Sequence, residues 1–135
     1  MILAVDANVA IAALVKEGKS REILVSGKFK FVAPDFVKEE TLKYLELIRR
    51  KSGLAKEDLD LLIALLFQEI ETLPESEYEH ELPKAKMIMK NDVKDAPYVA
   101  CYLALKCDGI WTSDSDYDGK PELKVVRTEY LLKLL

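Results

Sequence analysis

The first 53 residues alternate twice between a short apolar run and a segment of helical composition. Residues 2–5, ILAV, form an apolar run that stops at Asp6, as expected of a strand buried on both faces. A second run, FKFVAP at 29–34, ends at a proline, and the segment DFVKEETLKYLELIRRKSG at 35–53 then predicts one long helix. Strand, helix, strand and helix in succession begin a parallel sheet, so the chain is expected to fold as an α/β protein.

The remaining segments extend this alternation along the chain. Between the first two strands we predict two helices, NVAIAALVKEG at 8–18 and a shorter one capped by Ser20. The residues 56–70 carry apolar side chains at helical spacing, the pattern of an amphipathic helix whose apolar face joins the core. Later predictions are, in chain order, a brief strand at 71–74, helices at 81–90 and 95–107, strands at 109–113 and 123–127, and a closing helix capped by Thr128.

No repeat, low-complexity tract or linker interrupts this pattern. A chain of 135 residues is long enough for one core and short for two. We therefore predict a single domain over residues 1–135. Its expected fold is a three-layer α/β/α sandwich with a mainly parallel sheet of about four or five strands.

Composition argues against several classes of protein. With 20 basic and 24 acidic residues the formal charge is −4, which argues against binding nucleic acid through a general basic coat. No apolar run approaches the roughly 18 residues of a membrane span, so neither a transmembrane helix nor a signal peptide is expected. The single histidine, His80, lies in the acidic segment SEYEHELP and excludes a multi-histidine zinc site. Cys101 and Cys107 lack the close pairing of a metal or redox site, so we expect buried thiols in a reducing cytoplasm.

Acidic residues recur where the predicted strands end and the helices begin. In parallel sheets, ligands bind outside the carboxyl ends of the strands. Four separate elements bring acids to that edge: Asp6 and Asp114 after strands, and Glu39, Glu40, Asp92 and Asp95 near the starts of helices. Several of these have ordinary structural explanations, because Asp95 is suited to cap a helix, the glutamates suit a first helical turn, and Asp116 and Asp118 suit a turn.

Asp6 fits such explanations least, because a carboxylate that ends a hydrophobic strand is costly to bury without a partner. Carboxylates that converge within a few ångströms also raise one another's pKa and repel one another unless a cation is present. Oxygen ligands without usable histidine or cysteine favour Mg²⁺ or Mn²⁺. If the acids converge, the sequence therefore predicts a site for a hard divalent cation.

Four motifs, taken in order and spacing, resemble those of the PIN-domain ribonucleases, which include the VapC-type toxins of prokaryotic toxin–antitoxin pairs. They are VDANV at 5–9, PDFVKEETLKYL at 34–45, DVKDAPYVACYLAL at 92–105 and IWTSDSDY at 110–117, and the likeness covers about residues 2–130. The resemblance implies a metal-dependent endoribonuclease that hydrolyses RNA phosphodiester bonds with Mg²⁺ or Mn²⁺. It also raises an antitoxin protein and a homodimer as partners.

Carried over residue by residue, the resemblance implies site residues. It makes Asp6, Glu40, Asp95 and Asp114 the catalytic acids and metal ligands, with Asp116 as an additional ligand. Glu39 competes with Glu40, which is preferred for its spacing from Val37 and Tyr44. Supporting roles fall to Asn8, Thr112, Asp92 and Glu39, and candidates for an RNA-binding basic rim are Arg49, Arg50, Lys51, Lys90, Lys94 and Lys120. The chain departs from many family members at Ala7, where they carry a hydroxyl residue.

Two other functions stay open on the sequence. One is a non-catalytic PIN-like module that binds RNA or a protein without cutting. The other is an aspartate-nucleophile phosphatase of the haloacid dehalogenase type, which also places an aspartate after its first strand. That chemistry needs a second aspartate two positions later, where this chain has Asn8.

Overall fold

Five parallel strands form one sheet in the computed structural model, which describes residues 1–135. The strands are β1 (Ile2–Val5), β2 (Lys30–Pro34), β3 (Ile70–Leu73), β4 (Gly109–Trp111) and β5 (Val125–Val126). Their order across the sheet is β3-β2-β1-β4-β5, and every neighbouring pair is parallel. The chain winds outward from β1 to β3 and then crosses back to place β4 on the other side of β1. The carboxyl ends of β1 and β4 therefore flank the point where the winding reverses, which is where open α/β sheets bind ligands.

Helices cover both faces of this sheet. They are α1 (Ala7–Val15), α2 (Lys19–Val25), α3 (Val37–Leu42), α4 (Leu45–Ser52), α5 (Lys56–Gln68), α6 (Glu75–Tyr78), α7 (Leu82–Ile88), α8 (Ala96–Ala104) and α9 (Thr128–Leu132). Helix α8 packs against β1, β2 and β4 and also against α6 and α7. Helix α1 packs with α2, α3, α4 and α5. None of these helices has both the length and the apolar character that crossing a membrane requires. The predicted α/β/α sandwich with a parallel sheet is confirmed.

The core lies on both faces of β1. Leu3, Ala4 and Val5 alternate between the two faces of the strand, and all three are fully buried. The predicted amphipathic helix is confirmed as α5, which buries Leu59, Ile63 and Leu66. Cys101 and Cys107 are also buried, as expected, and burial raises the pKa of the Cys107 thiol to about 11.

The single long helix predicted over 35–53 is wrong, because the chain turns between α3 and α4. The Thr41 hydroxyl donates to the Val37 carbonyl oxygen at 2.8 Å, a local bond that bends helices. Tyr44 then leaves helical geometry, with φ −103° and ψ 20°, and its N–H bonds the Thr41 carbonyl in a tighter turn. The break places Tyr44 at a corner between two helices.

Two predicted helix caps are also wrong. Gly18 precedes α2, and Ser20 lies inside that helix. Arg127 precedes α9, while the hydroxyl of Thr128 accepts a hydrogen bond from Trp111 Nε1 at 3.1 Å. Thr128 therefore holds α9 against β4 through its bond to Trp111. Local sequence patterns do not connect these two residues, which are distant in the chain.

Gly109, the first residue of β4, has no room for a side chain. A Cβ atom there would overlap Val126 Cγ2 of β5 and lie 3.3 Å from both Leu3 Cδ2 and the Lys124 carbonyl oxygen. We expect Gly109→Ala to lower the free energy of unfolding by about 1–3 kcal/mol, because the overlap forces the strands apart. Urea unfolding measures the change. The control is Gly18→Ala, where the new Cβ meets only the flexible Lys16 side chain at 3.4 Å, so the free energy of unfolding should fall clearly less. Equal losses of stability in the two variants would contradict the packing argument.

Candidate metal centre

A cavity of about 180 Å³ opens beyond the carboxyl ends of β1 and β4. Its acidic lining comes from four separate stretches of the chain: Asp6, Glu40, Asp95, Asp114 and Asp116. Asn8 lines it as well and is exposed. Three other candidate residues, Glu39, Asp92 and Thr112, lie outside the lining. The structure thus brings together all five acids that the sequence resemblance singled out as ligands.

Asp6 is the most deeply placed of these acids, with 4% of its surface exposed. It directly follows β1 and caps α1, so its Oδ1 accepts from the Val9 N–H at 3.1 Å. Its Oδ2 accepts from Thr112 Oγ1 at 2.6 Å. Burial raises the pKa of Asp6 and outweighs these hydrogen bonds, which lower it, while the charge of Asp114 raises it further. The fold therefore fixes both oxygens of a carboxylate whose charged form it disfavours.

Strand register explains why Thr112 meets Asp6. Val5 pairs with Trp111, so the next residues of the two parallel strands lie side by side. The predicted strand at 109–113 ends earlier than expected, at Trp111, so Thr112 and not Asp114 is the first residue beyond it. The Thr112 hydroxyl also accepts from the Asp114 N–H at 3.0 Å. One buried hydroxyl therefore links the acid after β1 to the acidic loop after β4.

That loop, residues 114–118, divides into two parts. Asp114 caps a 3₁₀ turn over Ser115–Tyr117, and its Oδ1 accepts from the Asp116 N–H at 2.9 Å. Asp118 faces away from the cavity and accepts both bonds of a fork from Arg127 Nη2, at 2.6 and 2.7 Å. Arg127 Nη1 also donates to the Thr112 carbonyl oxygen at 2.6 Å. Asp118 is therefore structural, and Arg127 holds the loop in place.

Asp95 faces the cavity without a hydrogen bond of its own. It stands at the cap position of α8, but its side chain makes no capping bond, so the explanation that it serves as a helix cap fails. Pro97 occupies the first turn of α8, as the sequence predicts. Partial burial raises the pKa of Asp95 to about 6, and the charge of Asp114 adds to this while Lys94 opposes it. The Asp95 carboxylate therefore makes no capping bond and, being only partly buried, is open to water or to a ligand.

A second grouping of acids extends outward from Asp95. One carboxylate oxygen each from Asp92, Asp95 and Asp116 lies within 4.8 Å of the others. Asp116 is exposed, and its pKa is raised first by the charge of Asp114. Asp92 thus joins the acidic group beside the cavity without lining it.

The residues present fit a hard divalent cation. The lining holds five carboxylates and one ammonium group, that of Lys94, a formal charge of −4 when all are ionised. Carboxylate oxygens are the ligands that Mg²⁺ and Mn²⁺ prefer. Burial first, and neighbouring acids second, raise the pKa of Asp6 and of Asp95, so the fold disfavours negative charge that a cation would compensate.

A family model described as the PIN domain matches residues 4–130 of the chain. The chain belongs to the PIN-domain family. PIN domains are typically nucleases and generally use divalent metal ions, which agrees with an acidic cavity at the switch point of the sheet. Among curated proteins, none matches this chain significantly.

The two adjacent glutamates of this PIN domain occupy different surroundings. Glu40 lines the cavity and pairs with Lys43 at 3.0 Å, whereas Glu39 is exposed and lies outside it. Successive residues of a helix point about a quarter-turn apart, so only one of them reaches the cavity. The geometry therefore favours Glu40 over Glu39 as a site residue.

Beside the acids, the cavity of the PIN domain has an apolar wall. It consists of Ala7, Ile11, Phe36, Tyr44 and Tyr98. Of the six basic residues considered for an RNA-binding rim, Lys94 alone lines the cavity. Sequence reasoning did not single out Tyr98 as a lining residue, although its spacing of three residues from Asp95 was a usable signal. Tyr44 was missed because its place depends on the unexpected break between α3 and α4.

Proposed function

We propose that this PIN domain is an endoribonuclease dependent on Mg²⁺ or Mn²⁺. In this proposal the ligands are Asp6, Glu40, Asp95 and Asp114, with Asp116 as an additional contributor. One observation carries it: carboxylates from four distant stretches of the chain line a single cavity at the topological switch point. Thr112 orients Asp6, Asn8 lines the cavity beside the acids, and Asp92 and Asp116 extend the negative charge toward the loop.

Preorganisation is the main contribution of the chain to this chemistry. A bound divalent ion would lower the pKa of a coordinated water and neutralise charge on the phosphate. Asp6 is already fixed at both oxygens by Thr112 and the Val9 N–H, so it needs little rearrangement to act as a ligand. Asp95, which has no other partner, lies ready to share the charge.

Electrostatics also predict an order of events. Without metal, the acidic lining repels a phosphate, and Lys94 is the single cation that opposes this repulsion within the cavity. RNA binding at the cavity therefore follows metal binding.

A finer form of the proposal makes this protein the toxin of a toxin–antitoxin pair, with a small antitoxin as partner and a homodimer as its assembly. Membership of the PIN-domain family supports it. A neighbouring short reading frame that encodes a DNA-binding antitoxin, followed by co-purification of the two proteins, tests this form. Two separate chains that do not associate would reject the toxin role and leave the nuclease proposal intact.

The basic test is cleavage of labelled RNA by purified protein in Mg²⁺, in Mn²⁺ and after chelation of metal. We expect internal cleavage that depends on metal and is lost in Asp6→Asn. Metal-independent cleavage, or activity untouched by Asp6→Asn, would overturn the proposal. RNA binding without metal binding or cleavage would instead favour a non-catalytic module.

The two glutamates provide a matched pair of variants. We expect Glu40→Gln to lower metal-dependent cleavage roughly tenfold or more, because it removes a charged oxygen ligand from the cavity. Glu39→Gln makes the same chemical change one residue earlier, outside the cavity, and should retain wild-type cleavage. Rates measured at several Mg²⁺ concentrations give the comparison. If Glu39→Gln were the more damaging change, the assignment of Glu40 would be wrong.

A further inference from the structure

Two buried tyrosine hydroxyls, those of Tyr98 and Tyr117, have no hydrogen-bond partner. Tyr98 is 4% exposed and Tyr117 is 1% exposed. A buried hydroxyl without a partner costs free energy, and such groups are uncommon in native folds. Their presence beside an acidic cavity therefore needs an explanation.

Only one of the two hydroxyl-bearing side chains lines the cavity. Tyr98 belongs to its wall, whereas Tyr117 does not. Phe36 packs edge-to-face on the Tyr98 ring, with ring centres 5.8 Å apart, and fixes its orientation. Tyr98 also lies three residues after Asp95, on the same face of α8.

The surroundings of the Tyr98 hydroxyl are rich in acceptors. Burial raises its pKa, and the charges of Asp6, Glu40 and Asp95 raise it further, so acids from three stretches of the chain lie near it. None of these carboxylates accepts its proton in a hydrogen bond, and the nearby Ala7 N–H is a donor, so it cannot accept that proton. The oxygens of Asp6 already accept from Val9 and Thr112. A buried neutral donor thus lies beside an acidic cavity, on a side chain that lines it, and lacks an acceptor.

We propose that Tyr98 is a positioning residue of the metal centre, whose hydroxyl donates a hydrogen bond to a water molecule that enters the cavity with the divalent ion. This inference rests on the proposed function in one respect, that the cavity binds such an ion. Mg²⁺ dehydrates reluctantly and keeps several waters in protein sites. The cavity of about 180 Å³ has space for water beside the ion, at roughly 30 Å³ for each molecule in the liquid.

Metal affinity is the property that this role should change. Tyr98→Phe removes the hydroxyl and keeps the ring that packs on Phe36. We expect it to weaken binding of Mn²⁺ and Mg²⁺ by about 5- to 10-fold, since one hydrogen bond to the hydrated ion is lost. Titration calorimetry on the metal-free protein, without RNA, measures this directly. The urea midpoint of the metal-free variant should not fall, because no hydrogen bond of that state is removed.

Tyr117→Phe is the matched control, because it deletes an equally buried and equally unpaired hydroxyl that does not line the cavity. It should bind metal as the wild type does. Equal metal affinity of wild type and Tyr98→Phe, or equal weakening in both variants, would overturn the role of Tyr98 alone. Failure of the wild type to bind either ion would overturn this role together with the proposed function.

Discussion

Asp95→Asn is expected to abolish metal-dependent RNA cleavage and at the same time to stabilise the metal-free protein. The side chain of Asp95 makes no hydrogen bond, so the amide removes a charge without removing a bond. The lost ligand should lower cleavage about 100-fold or more, since a metal ion contributes several kcal/mol of transition-state stabilisation. The gain in stability arises because the folded protein disfavours this charge.

The stability effect has a defined pH dependence. The pKa of Asp95 in the folded protein is about 6, above its ordinary value of 3.8, so the fold favours the protonated form. The contribution of this group to stability is therefore fully present below pH 3.8 and is lost as the pH rises through about 6. Asp95→Asn should match the wild type near pH 4 and exceed it above pH 7. We expect a difference of about 1 kcal/mol, because solvent screens a carboxylate that is only partly buried.

Urea unfolding in chelator at several pH values tests this expectation. Added Mg²⁺ should stabilise the wild type by about 2.7 kcal/mol at one hundred times its dissociation constant and leave Asp95→Asn unchanged. Asp118→Asn is the control in the adjacent acidic loop, because Arg127 pairs with Asp118 outside the cavity. It should lose a little stability and keep its response to Mg²⁺. An Asp95→Asn protein less stable than the wild type above pH 7 would contradict the electrostatic account.

Local patterns predicted the elements of this fold well, and contacts between distant residues explain the failures. The first strand, before Asp6, and the alternation of strands and helices could be predicted from residues that are close in sequence. The parallel sheet could be predicted from that alternation. The order of the strands did not follow, because the crossover from β3 to β4 depends on how the helices pack. The break at Tyr44 was missed because a buried Thr41 hydroxyl competes with the helix there.

For the site, sequence reasoning named the five acids that line the cavity and, among the supporting residues, Thr112, which bonds to Asp6. Asp6, Asp95 and Asp114 were marked by their positions at element ends and by the family resemblance. The resemblance gave Thr112 a supporting role, but that it contacts Asp6 in particular follows from the strand register. The unpaired hydroxyl of Tyr98 is visible only once burial and hydrogen bonds are known.

Thr112→Val is expected to weaken metal binding about 10- to 100-fold, the usual cost of losing a side chain that orients a ligand. Thr112 is fully buried, and its hydroxyl donates to Asp6 Oδ2 while accepting from the Asp114 N–H. Valine has nearly the same shape, so packing is kept and the polar contacts alone are lost. The buried groups left without partners should also lower the free energy of unfolding by about 1–3 kcal/mol.

Thr112→Ser separates these causes, because serine keeps the hydroxyl and removes only a buried methyl group. It should lose some stability through the small cavity but retain metal affinity in titrations with Mn²⁺. The valine variant should also need a higher pH to bind metal, since loss of the Thr112 bond raises the pKa of Asp6 further and protons compete with the ion for its oxygens. Equal metal affinities for the valine and serine variants would mean that the Thr112 hydroxyl does not orient Asp6 for binding. A loss confined to valine would identify the Thr112 hydroxyl as the group that holds Asp6 ready for metal binding.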